Sequence, residues 1–191
     1  MRNLLRKPMT WLLLGVLIVG AVVGLWLFQP WKAFVDQTVD EALPDAAATA
    51  DAPTAPTATA SPSSSGSPAR PVVLAEGKFV THEHDTSGTA QLVRLPDGRH
   101  VLALKNLDTS NGPDLRVWLT DRKVTPGRDG WHIFDDGEYL GLGRLKGNKG
   151  NQVYAIPGSA DLSQYRSVTI WCKRFSVSFG AAEFSGVESA P

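Results

Sequence analysis

Trp11 to Phe28 form an uninterrupted apolar run of 18 residues with no charged side chain, a pattern that leaves few environments open to that part of the chain. Coiled as a helix at 1.5 Å per residue, the run would be about 27 Å long, close to the roughly 30 Å hydrocarbon core of a bilayer. Arg2, Arg6 and Lys7 precede it, and the positive-inside tendency keeps such a flank in the cytoplasm and sends the following residues across. Trp11, Trp26 and Trp31 lie near its ends, where indoles favour the headgroup region. A cleaved secretory signal shares the basic start and apolar stretch, but its apolar region is shorter, and the first small-x-small sites here lie far downstream, around Ala46 to Ala50. The expected organisation is a cytoplasmic tail over residues 1–10, a signal anchor over 11–28, and everything beyond it outside the cytoplasm. Cleavage would export the remainder equally.

Residues 43–71 consist almost wholly of Ala, Pro, Thr, Ser and Asp, as in Pro53-Thr54-Ala55-Pro56 and Ser61-Pro62-Ser63-Ser64-Ser65-Gly66. Too little apolar surface is available there to offset the entropy of ordering, so a disordered spacer is expected, of a composition that also suits O-glycosylation. Residues 29–42, between anchor and spacer, are read as a juxtamembrane segment able to form a short helix on the membrane surface. The remaining residues, 72–188, suffice for one domain with its own core. They carry fourteen basic and fourteen acidic side chains with no basic block, which argues against nucleic acid as a partner. The single cysteine, Cys172, allows no intrachain disulfide, so packing must stabilise the domain.

Its pattern is strand after strand. Leu92 to Leu95 and Val101 to Leu104 flank Pro96-Asp97-Gly98, a turn signature, and predict a hairpin. Leu115, Val117 and Leu119 alternate with polar or aromatic neighbours, as do Val168, Ile170 and Cys172, so each set reads as a half-buried strand. Apolar parity shifts between Cys172 and Phe175, which places a tight turn at Lys173-Arg174. Glu138 to Leu145 and Gln152 to Ile156 are two more strand candidates, joined through Gly147-Asn148-Lys149-Gly150; only Ala160 to Gln164 looks helical, for one turn. The expected fold is all-β, an antiparallel sandwich or a barrel-like domain.

Four segments in order carry a resemblance to a known family: Phe79 with His84-Asp85-Thr86-Ser87-Gly88-Thr89-Ala90; Leu107 with Asn111-Gly112-Pro113-Asp114-Leu115 and Leu119; Leu140-Gly141 with Leu145-Lys146-Gly147 and Gln152-Val153-Tyr154-Ala155-Ile156-Pro157; and Val168-Thr169-Ile170-Trp171-Cys172 with Phe175-Ser176-Val177, Phe179-Gly180 and Ala182. Together they resemble the DM-thirteen domain, named for electron transfer and also found in Skeletor-type animal proteins. The resemblance implies an extracytoplasmic β-rich domain with a characteristic cysteine at the position of Cys172, acting in redox chemistry.

Residue chemistry limits how it could do so. Covalent c-type haem requires Cys-x-x-Cys-His and common iron–sulfur clusters require several thiolates, so one cysteine supports neither; copper and non-covalent haem stay open. A blue-copper set would join Cys172 to two histidines. His82 and His84, two apart, would share a face of an extended chain and supply that pair, with His84 at a position of the resemblance; the alternative is that both merely hydrogen-bond near a loop. His100 and His132 are isolated. Cys172 has two readings: by parity it lies on the apolar face as an inert, protonated thiol, whereas its place at a strand end before Lys173 and Arg174 would favour thiolate if the sulfur met solvent. Asn111-Gly112-Pro113-Asp114 reads first as a turn, and Asp135, Asp136 and Glu138 as an acidic loop whose spacing does not fit an EF-hand calcium site. No Ser-His-Asp set, phosphate loop or zinc-protease helix is recognisable, so no independent catalytic activity is expected. Two function classes follow: a membrane-anchored redox or electron-transfer module centred on Cys172, or a non-enzymatic domain that binds an envelope ligand or protein, with Cys172 in its core.

Overall fold

A computed structural model of the protein describes residues 8–28, 35–44 and 70–186. The apolar run forms the helix α1, Pro8–Phe28, whose large side chains from Met9 to Trp26 are exposed on every side. A helix apolar all round has no face for water, and Met9–Leu27 is long and apolar enough to cross a membrane.

Among the described residues nine strands follow: β1 (Thr38–Asp40), β2 (Val72–Thr81), β3 (Ser87–Arg94), β4 (His100–Asp108), β5 (Leu115–Thr120), β6 (Tyr139–Arg144), β7 (Lys149–Ile156), β8 (Ser167–Cys172) and β9 (Val177–Glu183). They form one sheet in the order β1-β7-β4-β3-β2-β9-β8-β5-β6, antiparallel except for the parallel β1–β7 pair. The sheet curls into a half-barrel. The ten-residue β2 joins its halves, pairing with β3 through Val72 to Lys78 and with β9 through Phe79 to Thr81. Near the open seam, the Leu145 amide donates to the Leu115 carbonyl, and the Lys146 amide to the Tyr154 hydroxyl and the Gln152 side-chain oxygen.

Alternation along the strands fills the concave side. Leu92, Leu102, Leu104 and Tyr154 from one half meet Val117, Leu119, Val168, Ile170, Val177 and Phe179 from the other in the main core. The expected all-β fold is therefore present, and so is the Pro96-Asp97-Gly98 hairpin, where Gly98 takes φ 84° and the Leu95 and Arg99 backbones pair. One helical turn forms at Leu162–Gln164, capped by the Asp161 carboxylate on the Ser163 amide.

Three expectations need correction. β8 is not half-buried: all six of its residues are buried, because Phe134, Val124 and Ile133 from the irregular stretch after β5 cover Trp118 and Trp171 on the convex face. The turn after Cys172 spans Lys173 to Ser176 rather than two residues; Ser176 adopts φ 49°, the Phe175 amide closes on the Cys172 carbonyl, and Phe175 stays 49% exposed. The juxtamembrane segment forms no surface helix in its described part, residues 35–42. Those residues instead lie along β7 as the edge strand β1, so residues 45–69, read as the spacer and outside the described residues, connect two strands of one sheet.

Candidate functional site

Parts of all four motif segments, among them Thr86, Gly112 to Leu115, Gly147 and Cys172, meet at one end of the half-barrel. β4 arrives there at Asp108, and residues 109–114 cross the end to start β5. β8 leaves there at Cys172 and β9 returns at Val177, which pairs with Cys172, while Leu115 flanks Cys172 on the other side. The crossing is held by backbone and side-chain bonds. Thr109 exchanges bonds with the buried Asn148, its amide donating to the Asn148 carbonyl at 3.0 Å and its own carbonyl accepting from Asn148 Nδ2 at 2.8 Å. The Thr109 hydroxyl lies 2.8 Å from Thr86 Oγ1, and the Lys173 amide donates to the Asp114 carbonyl at 3.0 Å.

Two motif glycines allow this closure. A Cβ on Gly180 would stand 2.5 Å from Thr86 Cβ, and one on Gly112 3.0 Å from the Phe179 ring. Neither glycine has the positive φ that would demand glycine for conformational reasons, so close packing explains both. Beside the crossing lies a recess of about 200 Å³ lined by Gln37, Gly112, Pro113, Arg144, Lys146 and Gly147, among others.

Cys172 belongs to the main core, with 0% of its surface exposed. Burial pushes its thiol above the ordinary value; hydrogen bonds from the Phe175, Arg174 and Asp114 backbones pull it down and the Asp114 charge pushes it up again, leaving the net shift upward. The thiol is protonated at neutral pH. Of the two sequence readings, the geometry matches the apolar face, while Lys173 and Arg174 are exposed in the turn beyond it.

The histidines separate. β2 ends at Thr81 and the chain bends, so the alternation of an extended chain does not carry through residues 82–84 and the expected shared face is lost. His82 packs on the convex face beside Phe134, with Nδ1 2.8 Å from Ser178 Oγ and Nε2 3.1 Å from the Thr125 carbonyl. A carbonyl can only accept, so Nε2 carries the proton and Nδ1 accepts from Ser178, whose oxygen lies 2.8 Å from Thr169 Oγ1. Desolvation lowers the His82 pKa, with the bond to Thr125 opposing it in part, which keeps the ring neutral. His84 turns the other way, its ring centroid 4.0 Å from that of Phe179 and its Nε2 2.7 Å from Glu83. Its side chain is 35% exposed.

His82, His84 and Cys172 are thus not assembled as a ligand set, and among the described residues no group of three or more His, Cys, Asp or Glu is placed to hold a metal ion. Asp135, Asp136 and Glu138 are exposed along their loop. His100 pairs across from Ile156 at the opposite end, and His132 Nδ1 lies 2.6 Å from the Ser176 carbonyl.

The Cys172 end also holds a partly buried carboxylate, Asp114, only 17% exposed. It accepts from Arg116 Nε at 2.8 Å, with Arg144 3.6 Å away. Burial pushes its carboxyl up, but the bond and charge of Arg116, with the charges of Arg144 and Lys173, outweigh that and hold it below the ordinary carboxylate value.

Residues 78–184, more than half of the chain, match the model of the family described as Electron transfer DM13. The chain belongs to the DM13 family. No curated protein and no solved structure matches it. The DM13 match begins within β2 and runs to the end of the last strand, so it takes in Cys172 and the crossing residues 109–114 and leaves out α1 and β1. Sequence reasoning missed three parts of this DM13 site. Arg116 bonds Asp114 from two residues along the chain, and Arg144 reaches the same carboxylate only through the β5–β6 pairing that sets it beside Arg116. The Thr86–Thr109–Asn148 link joins positions far apart in sequence, and the Thr169–Ser178–His82 chain needs the loop that buries it; no spacing rule signals either.

Proposed function

We propose that this chain is a membrane-attached component of an extracytoplasmic electron-transfer system, with α1 as its anchor and the DM13 domain outside the cytoplasm. In this role the domain receives a redox partner at the Cys172 end rather than exchanging electrons through its thiol. The observation that carries the reading is the position of Cys172: wholly buried, protonated, and remote from any second thiol or assembled ligand set among the described residues. A thiolate nucleophile needs access and a lowered pKa, and this site offers neither. What the same end offers a partner is the recess beside residues 112–113, bordered by Arg144 and Lys146. Copper and non-covalent haem then belong to the partner, since the histidines here are turned apart.

The competing assignment, Cys172 as the redox group, is favoured by the three backbone groups that hydrogen-bond its sulfur, an arrangement that stabilises charge on it. Membranes carrying the native chain or Cys172→Ala separate the two. Electron exchange between the membranes and a soluble acceptor such as ferricyanide is expected to depend on the chain and to persist in Cys172→Ala. A folded Cys172→Ala chain that loses the exchange would return the role to the thiol.

A further inference from the structure

We infer that residues 35–44 are a strap that holds the Cys172 end of the domain against the membrane, so that this face fronts the lipid headgroups instead of ranging outward on a long tether. The inference rests on reading α1 as a membrane span, and on that reading alone.

Val35 follows Phe28, the last residue of α1, by seven positions, and its carbonyl already accepts from Asn111 Nδ2 at 3.1 Å. Seven residues reach at most about 25 Å when fully extended, so Val35 cannot lie farther than that from the end of the span, and Asn111 is one hydrogen bond beyond it. Were β1 not paired, the first fixed point would be Val72, 44 positions beyond Phe28. A coil of that length has a root-mean-square span of about 35–40 Å and a far larger maximum.

The seat for the strap is specific. The Gln37 amide donates to Asn148 Oδ1 at 2.7 Å, and Asn148, itself 1% exposed, donates through Nδ2 to Asp36 at 2.8 Å. Lys146 Nζ lies 2.8 Å from both Glu41 oxygens, and Glu41 also accepts from the Val153 amide at 2.7 Å. Leu43 packs on Val93, Val101 and Ala103, an apolar patch on the convex face. The backbones meet so closely at the seat that a Cβ on Gly147 would lie 2.3 Å from the Gln37 carbonyl oxygen, and the three atoms nearest to it all belong to the strap. Gly147, Asn148 and Gly150 therefore form a bed shaped for a backbone, and the chain segment seated in it is the one arriving from α1.

The full chain reconstituted in vesicles with acceptor-labelled headgroups tests this. A donor dye is attached at Arg144→Cys, beside the recess, or at Asp97→Cys, on the hairpin tip at the far end of β4. Energy transfer should be clearly stronger from position 144 than from position 97. Gly147→Ala, which obstructs the bed, and Gln37→Pro, which removes a bonded amide from the strap without touching the barrel, should each lower the transfer from 144 and shrink the difference. Chains that float with the vesicles yet transfer equally from both positions, or whose transfer ignores both substitutions, would overturn the strap. Failure to float would overturn the anchor reading and this inference with it.

Discussion

Replacing Cys172 with alanine removes a sulfur from a site with no solvent contact, where a free cysteine acts as a small hydrophobe. The cavity should cost about 1–2 kcal/mol of stability, read from a urea midpoint that shifts at constant slope. His82 makes the opposite kind of statement, about pH. Its folded pKa is depressed by desolvation, so the unfolded chain takes up the proton first. Its contribution is therefore complete above the ordinary histidine value and is lost as pH falls from that value through the lower, folded one. Melting temperatures should fall between pH 7.5 and 5.5, and His82→Asn, less stable at the upper pH, should fall by less; an equal fall in both chains would contradict the neutral, buried assignment. Gly180 is constrained by volume alone: Gly180→Ala drives a methyl into Thr86, which should cost about 1–3 kcal/mol by the same urea measurement.

Among the elements, β1 is the one held mostly by charge and polar contact. Hydrogen bonds from Asn148 and Lys149 lower the Asp36 pKa, and bonds from Lys146 and the Val153 amide lower that of Glu41. Depressed carboxyls stabilise docking at neutral pH, and the contribution disappears as pH falls through their docked values. Glu41→Gln should accordingly speed hydrogen exchange at the Val153 amide several-fold while the amides of β8 keep their protection, and unchanged exchange at Val153 would contradict a docked β1. The strands of the half-barrel were legible in the sequence because alternation such as Val168, Ile170, Cys172 records which side chains face the core. What alternation could not record is a second covering layer. Trp171 and Thr169 read as solvent-facing, since Phe134 and Val124, which bury that face, lie in a stretch with no period of its own. β1 was hidden for a related reason: three residues, Thr38 to Asp40, are too short to show a period, and their partners lie more than a hundred residues away.

For the whole molecule, the site was legible as a set of segments and not as a geometry. Asn111 to Asp114, Gly180 and Cys172 were each marked by their resemblance to the family, but only the fold brings them to one end. There most of them lock the crossing chain in place, as Gly180 does for Thr86 and Asp114 for Lys173. His82 and His84 were paired by spacing and parted by the bend after β2. On the proposed reading, a domain so closed at its cysteine would take part in electron transfer by receiving a partner, and attachment through α1 would keep it where such partners are confined. Because Cys172 is the only thiol in the chain, one mass spectrum reads its access directly. The full chain in membranes, treated with a small thiol reagent, should stay unmodified while native and gain one adduct per chain once unfolded; rapid modification of the native protein would contradict the buried, protonated cysteine on which the account depends.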